Sequence, residues 1–295
     1  MGYYLQLLVN GISMGAVYAI IAVGWALIFS ILKFSNFAHG GTMVVAAYGG
    51  MLCTQVFGGN LWLTLICAAL IGGVLNIAVE FVSFRRIRVK TNQLLLLFVS
   101  AITMGLLLQN LVAIRFGGIF YSYPDFFANT NRYITVLGLS VDTADLYMLL
   151  VASVCILALI LILKKTRLGV AVRALSMDSR ATSLMGMNVN LIVLSTFFLA
   201  GALAGVAGVF VGTRTVLSPT LGSTYTVKAF MVAVIGGLGS LNGALYAALM
   251  LGILETFLTS WIGSALQPVG SFVFMMIFLL LFPNGLAGNF TSDKA

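Results

Sequence analysis

Charge is what this sequence has least of. Its 295 residues carry fifteen basic and seven acidic side chains, 7% of the chain, where soluble domains run near ~25%. With 61% of the residues hydrophobic, too few polar groups remain to coat a water-soluble surface, and a soluble enzyme is excluded. Histidine is nearly missing too. His39 stands alone, and without an H-E-x-x-H run a zinc protease is excluded. Cys53, Cys67 and Cys155 fall in apolar runs without metal-type spacing, so no metal or cofactor is expected. No G-x-x-x-x-G-K-[ST] run occurs, so the chain offers no Walker-type nucleotide site of its own. Gly11-Ile12-Ser13-Met14-Gly15 has the letters of a hydrolase elbow, but that motif needs a strand–turn–helix and lies here inside a long apolar run. Gly237 through Gly243 has one residue too many for a dinucleotide fingerprint, and no strand precedes it. No Lys or Arg precedes Lys33, so the basic start of a secretory signal is missing and the first apolar run is expected to be retained.

What is present is apolar sequence in runs long enough to cross a hydrocarbon core. The charges gather at 85–90, 115–145 and 164–180. Between them, spans are expected near 5–32, 37–57, 61–83, 92–114, 144–163, 190–212, 226–240, 242–262 and 266–283. The expectation is an all-α polytopic membrane protein with about eight or nine transmembrane helices. The seventh run is short, and the second opens on polar, glycine-bearing Ser35 to Gly41. Both read as broken or re-entrant helices, which survive at depth only where protein shields them or they line a cavity. If all nine cross, the clumps at 85–90 and 164–180 share a side, taken as cytoplasmic by the positive-inside rule. The N-terminus is then outside and the C-terminus inside. The net charge of +8 thus reflects loops on one face and not a nucleic-acid surface.

An internal repeat is expected. Ala68-Ala69-Leu70 through Leu75 resembles Ala247-Ala248-Leu249 through Leu254, and Met43-Val44-Val45 before Gly49-Gly50 resembles Met231-Val232-Ala233 before Gly236-Gly237. Spans one to four then match spans six to nine. Five spans separate equivalents, so the halves, 1–117 and 190–288, are inverted in the membrane. They are joined by an outer loop 115–143, a span 144–163 and a loop 164–189, within one transmembrane domain, 1–295. The competing explanation is that helices rich in glycine and alanine resemble one another by composition. Inverted repeats are typical of transporters, and interrupted segments in matching places point to the translocation site. The pathway expectation therefore falls on Tyr18, Asn36, His39, Gly40 and Thr42 in the first half, and on Tyr225, Gly236 and Gly237 in the second. Small residues four apart at Gly201, Gly205, Gly208 and Gly212 read as a packing face.

Two intramembrane polar residues stand at matching places, Asn76 and Glu255. A carboxylate inside a span is costly and functional by default. A relay needs several such groups, so helix–helix hydrogen bonding is the favoured role for Glu255. His39 either touches substrate or anchors the turn that starts its helix. Lys228, placed at the opening of the seventh span, either snorkels to the interface or lines the outer mouth.

In the loop 164–189, small or apolar residues recur at helical spacing from Ala171 to Met185, and Gly186 supplies a stop. Such a helix either lies on the bilayer or docks into a partner's groove. Arg180-Ala181-Thr182-Ser183-Leu184-Met185-Gly186 resembles the Glu-Ala-Ala-x-x-x-Gly coupling loop of bacterial ABC importer permeases, with Arg180 in place of the glutamate and Thr182 in place of the second alanine. More of the chain resembles the branched-chain amino acid type, specifically its smaller permease subunit. The stretches are Asn10 to Ala19, Asn36 to Gly40, Thr166-Arg167-Leu168-Gly169 with Arg173-Ala174, Ala204 to Gly208, Ile235 to Ser240, and Phe282 to Leu286. Gly41 stands where the family frequently has a glutamate. The resemblance implies a permease subunit in the bacterial inner membrane, not itself an enzyme. It takes up branched-chain or other apolar amino acids within a heterodimer of homologous permeases. Two cytoplasmic ATPases and an extracytoplasmic substrate-binding protein would complete the importer, with lipid around it and no nucleic-acid partner. Coupling to the ATPases then falls on Arg173, Ala174, Asp178, Arg180, Ala181 and Gly186. The competing functions are a stand-alone secondary transporter, a channel, or an ABC permease for urea or short amides.

Overall fold

The computed structural model describes residues 2–90, 93–124, 126, 133–136 and 139–287. Helix α1 (Gly2–Leu32) is apolar on every side and is buried continuously from Gly15 to Ile28. A helix without a polar face belongs in a core, and α1 forms the axis of this one. Its 31 residues extend about 46 Å, more than the ~30 Å hydrocarbon core needs. The chain reverses at Lys33 with a positive φ of 55° and enters α2 (Ala38–Val56). Next comes α3 (Leu61–Val79), which runs through a π-helical turn at Glu80–Phe84 into α4 (Arg85–Lys90). Helix α5 (Leu94–Phe116) leads to a two-stranded antiparallel ribbon, β1 (Tyr133–Val136) with β2 (Leu139–Asp142). The rest is helical: α6 (Thr143–Lys165), α7 (Arg167–Met177), α8 (Ser179–Leu184), α9 (Val189–Arg214), α10 (Leu221–Gly236), α11 (Leu241–Ile262) and α12 (Gln267–Leu281).

The protein is an all-α polytopic membrane protein apart from that ribbon. Among the described residues, α1, the α3–α4 rod, α5, α6, α9 and α11 are each long and apolar enough to cross a membrane, whereas α10 and α12 are shorter apolar helices. Helix α10 begins five residues before the expected start at 226 and ends at Gly236. Its polar start, Ser223 and Thr226, is tolerated because each hydroxyl returns to a backbone carbonyl of its own turn. It stops because Gly237 takes a φ of 93°, a conformation that favours glycine. Ser240 then caps α11 by accepting from the Gly243 N–H at 3.1 Å.

Two helix pairs hold the molecule together. Helix α1 lies along α11, and α3 lies along α9. The backbones touch where small residues face each other: Gly15 meets Gly252 in the first pair, and Gly72 meets Gly201 in the second. Without a Cβ the helices pack by close van der Waals contact, which is what association in lipid relies on. Helix α9 is also pinned at both ends. Arg88 on α4 bridges Glu80 at 2.9 Å and Asn190 at 3.0 Å, and Arg214 pairs with Asp145 on α6 at 3.1 Å.

The segment between α6 and α9 differs from the single helix expected over Ala171–Met185. It breaks into α7 and α8 at Asp178, whose carboxylate accepts from the Arg180 and Ala181 N–H groups at 2.7 and 3.2 Å. An aspartate at the start of a helix satisfies donors left open there, and here the cap outcompetes continuation of α7.

Candidate functional site

Helices α2 and α10 bring the polar residues to the centre. Neither begins at an end of the bundle. Fully buried His39, in the first turn of α2, lies beside Gly24, about two turns before the end of α1. Tyr225, in the second turn of α10, meets Tyr18 on α1 at 6.2 Å between ring centroids. From there α10 follows α1, placing Phe230 against Trp25. Helix α2 instead follows α9, with Met43 against Gly208. The two helices start in the interior and run to opposite ends. They cross at Gly40 and Gly222, where a Cβ on either would collide with the other's carbonyl.

Around that crossing lie two hydrogen-bonded clusters. In the first, Asn36 Oδ1 accepts from the Ala38 N–H at 3.1 Å and closes the entry to α2. Asn76 on α3 donates to the Phe197 carbonyl on α9 at 2.7 Å and accepts from Thr42 Oγ1 on α2 at 3.4 Å. All four side chains, those of Asn36, His39, Thr42 and Asn76, are buried. Gly41 sits so close to α5 that a Cβ would stand 2.8 Å from the Gly105 carbonyl oxygen. A glutamate has no room there with α5 in this place.

The second cluster carries charge. Lys228 Nζ on α10 lies 2.7 Å from Glu255 Oε2 on α11 and 2.7 Å from the Tyr18 hydroxyl. Tyr18 donates in turn to Glu255 Oε2 at 2.5 Å, and Ser271 on α12 donates to Oε1 at 3.3 Å. The ammonium also stands 4.9 Å from the Tyr18 ring centroid and 5.8 Å from that of Tyr225, within cation–π range. Lys228 therefore does not open α10 as an interfacial residue. It lies in the second turn, turned inward, because Glu255 is the group able to neutralise it at that depth. The sequence singles out Glu255, Tyr18 and Tyr225, leaves Lys228 open between the interface and the outer mouth, and gives no signal for Ser271. The available signal was a lone cation and a lone anion in neighbouring apolar runs, each costly unless they meet.

The remaining expected residues lie elsewhere. Gly236 packs on Gly243, and Gly237 lies against Gly285. Both sit eight or nine residues beyond Lys228 along α10, about 12 Å or more at the helical rise. Their surroundings are the C-terminal turn, where the Leu286 and Ala287 N–H groups donate to the Ile235 and Gly236 carbonyls. At the end where α1 starts, Tyr123 donates to the Ala47 carbonyl at 2.6 Å, and burial pushes its hydroxyl above the ordinary phenol range. In α7, Arg173 donates to the Leu163 carbonyl and half-buried Ala174 lies beside the packed face of Val172 and Leu175. Asp178, Arg180, Ala181 and Gly186 are exposed.

The family model for the branched-chain amino acid transport system permease component matches residues 7–282. The chain belongs to this family. It is 30% identical to the high-affinity branched-chain amino acid transport system permease protein LivH of Escherichia coli (strain K12), over 99% of this chain and 98% of that protein. Its identity to BraD of Pseudomonas aeruginosa, a permease protein of the same description, is 31% with the same coverage. The ribose import permease protein RbsC of E. coli matches only 32% of this chain, at 38% identity. Among solved structures, PsaBC from Streptococcus pneumoniae in complex with Fab has a similar fold, with a TM-score of 0.50 at 16% identity over 94% of this chain and 91% of that one. The protein is thus a multi-pass membrane permease component of an ABC importer family, and transport is its role rather than catalysis.

Proposed function

We propose that this chain is one of two homologous permease subunits of an inner-membrane ABC importer for branched-chain amino acids. Two cytoplasmic ATPases bind its 164–189 loop, and an extracytoplasmic binding protein delivers the ligand. The substrate assignment rests on the near full-length similarity to LivH and BraD. The coupling assignment rests on the exposure of Met177, Leu184 and Met185, each above 80%. Three large apolar side chains on the α7–α8 bend, beside basic residues, fit a partner groove. ATP closure of the partner biases the two membrane states only if that bend contacts it differently in each.

The inverted repeat belongs to the same proposal, and its support is reciprocal packing. Exchanging α1 with α9, α2 with α10, and α3 with α11 turns the α1–α11 pair into the α9–α3 pair. Asn76 joins α3 to α2 and α9, while Glu255 joins α11 to α10 and α1. The substrate path then runs beside the α2–α10 crossing, past Tyr18, His39, Gly40, Thr42 and Tyr225. Co-purification from native membranes, followed by uptake in vesicles, tests the assembly. ATPases that copurify and drive uptake are expected. A chain recovered fully active without them contradicts it.

A further inference from the structure

Beside the Lys228–Glu255 pair lies a cavity of about 290 Å³ between α10, α11 and α12. Its volume is at the lower end of the range for small-ligand sites, roughly 300–1,000 Å³. Both charged side chains line it, so each faces open space on one side and its ionic partner on the other. Thr224, Gln267 and Ser271 add polar atoms to the wall, and Val227, Met231 and Phe272 add apolar surface. The Gln267 amide nitrogen is itself buried and has no hydrogen-bond partner. A structural ion pair would need none of this. Two opposite charges and an apolar wall around one small cavity are a recognition set for a small zwitterion with an apolar side chain.

We propose that the Lys228–Glu255 pair is a docking station for the charged ends of a free α-amino acid. This deepens the amino-acid reading above and rests on it. With the cavity empty, the two side chains neutralise each other. An arriving amino acid inserts its α-carboxylate against Lys228 Nζ and its α-ammonium against Glu255, converting one ion pair into two. No charge is left unpaired at any stage, which matters because an uncompensated buried charge is the costly state. Tyr18 keeps its place throughout, since its hydroxyl already accepts from Lys228 and donates to Glu255. The substrate side chain lies on Val227, Met231 and Phe272. On release the protein ions re-form their own pair, so the station holds the ligand only in passing.

The test uses the complete importer in lipid nanodiscs and proteoliposomes, with leucine as the probe. Without the binding protein, the permease–ATPase complex is expected to bind leucine, and valine should compete. Leucinamide and 4-methylpentanoate, each lacking one charged end, should not. The exchanged variant Lys228→Glu/Glu255→Lys keeps an ion pair but reverses its polarity. It should assemble with wild-type thermal stability while leucine uptake stays lower by about tenfold or more. A purely structural pair predicts the opposite, with uptake restored by the exchange, and that result overturns the proposal. Should the exchanged pair not assemble, Glu255→Asp, which keeps the charge and shortens its reach, decides: a raised KM for leucine is expected, and an unchanged KM overturns the proposal. A wild-type complex that transports no leucine contradicts the substrate reading itself, and so is separable from either result.

Discussion

Gly40 and Gly222 set how closely α2 and α10 cross, because each faces the other's backbone and not a yielding side chain. A methyl group at Gly222 must push the helices apart at the centre of the bundle. Overpacking of this kind costs about 1–3 kcal/mol. Gly222→Ala is expected to lower the melting temperature of the purified complex and to reduce uptake, whereas Gly118→Ala, which meets nothing within 4 Å, should leave both unchanged. Legibility at this scale was uneven. Glu255 and Asn76 stand out in any apolar run, and both became hydrogen-bonding hubs between helices. The inward turn of Lys228 was not legible, since it depends on Glu255, 27 residues away, arriving at the same depth. Gly236 and Gly237 stand out because they close the interrupted segment that matches Gly49 and Gly50, and in the fold they pack at the end of α10 against Gly243 and Gly285.

At the scale of elements, the break at Asp178 is the feature most exposed to test. Removing an aspartate cap costs about 1 kcal/mol, a large share of what a six-residue helix such as α8 can supply. Asp178→Ala is expected to speed hydrogen exchange at Arg180 and Ala181 and to loosen ATP hydrolysis from uptake. Leu184→Asp and Met185→Asp should uncouple as well, with assembly of the permease pair intact, because both side chains are free of packing within the chain. The measurement is the ratio of ATP hydrolysed to leucine imported, and an unchanged ratio in all three variants returns the segment to a membrane-surface role. Periodicity smoothed over this break. Met177, Ala181 and Leu184 recur at helical spacing on both sides of Asp178, and spacing alone cannot register a change of axis. The start of α10 was misread for a related reason. Ser223, ahead of the expected start at 226, looks like a loop residue until its hydroxyl is seen bonded to the Thr220 carbonyl one turn back.

For the molecule as a whole, orientation is the first quantity to fix. After replacement of Cys53, Cys67 and Cys155, a cysteine at Met177 should react with an impermeant maleimide only in inverted vesicles, and one at Ile119 only in right-side-out cells. Both positions are well exposed, at 89% and 64%, so the reverse pattern would invert the assignment. The architecture was legible because membrane spans are local: a run of apolar residues declares a helix without reference to the rest of the chain. The pairing of α1 with α11 and of α3 with α9 is not local, and only the small-residue faces hinted at it. The central claim is that a chain without a nucleotide motif moves amino acids through partners that hydrolyse ATP. It is tested most directly by leucine uptake into proteoliposomes holding this chain alone, this chain with its permease and ATPase partners, and the full set with the binding protein. Uptake confined to the full set and abolished by withholding ATP is the predicted result. Leucine accumulation by the chain alone, driven by an ion gradient, would contradict it.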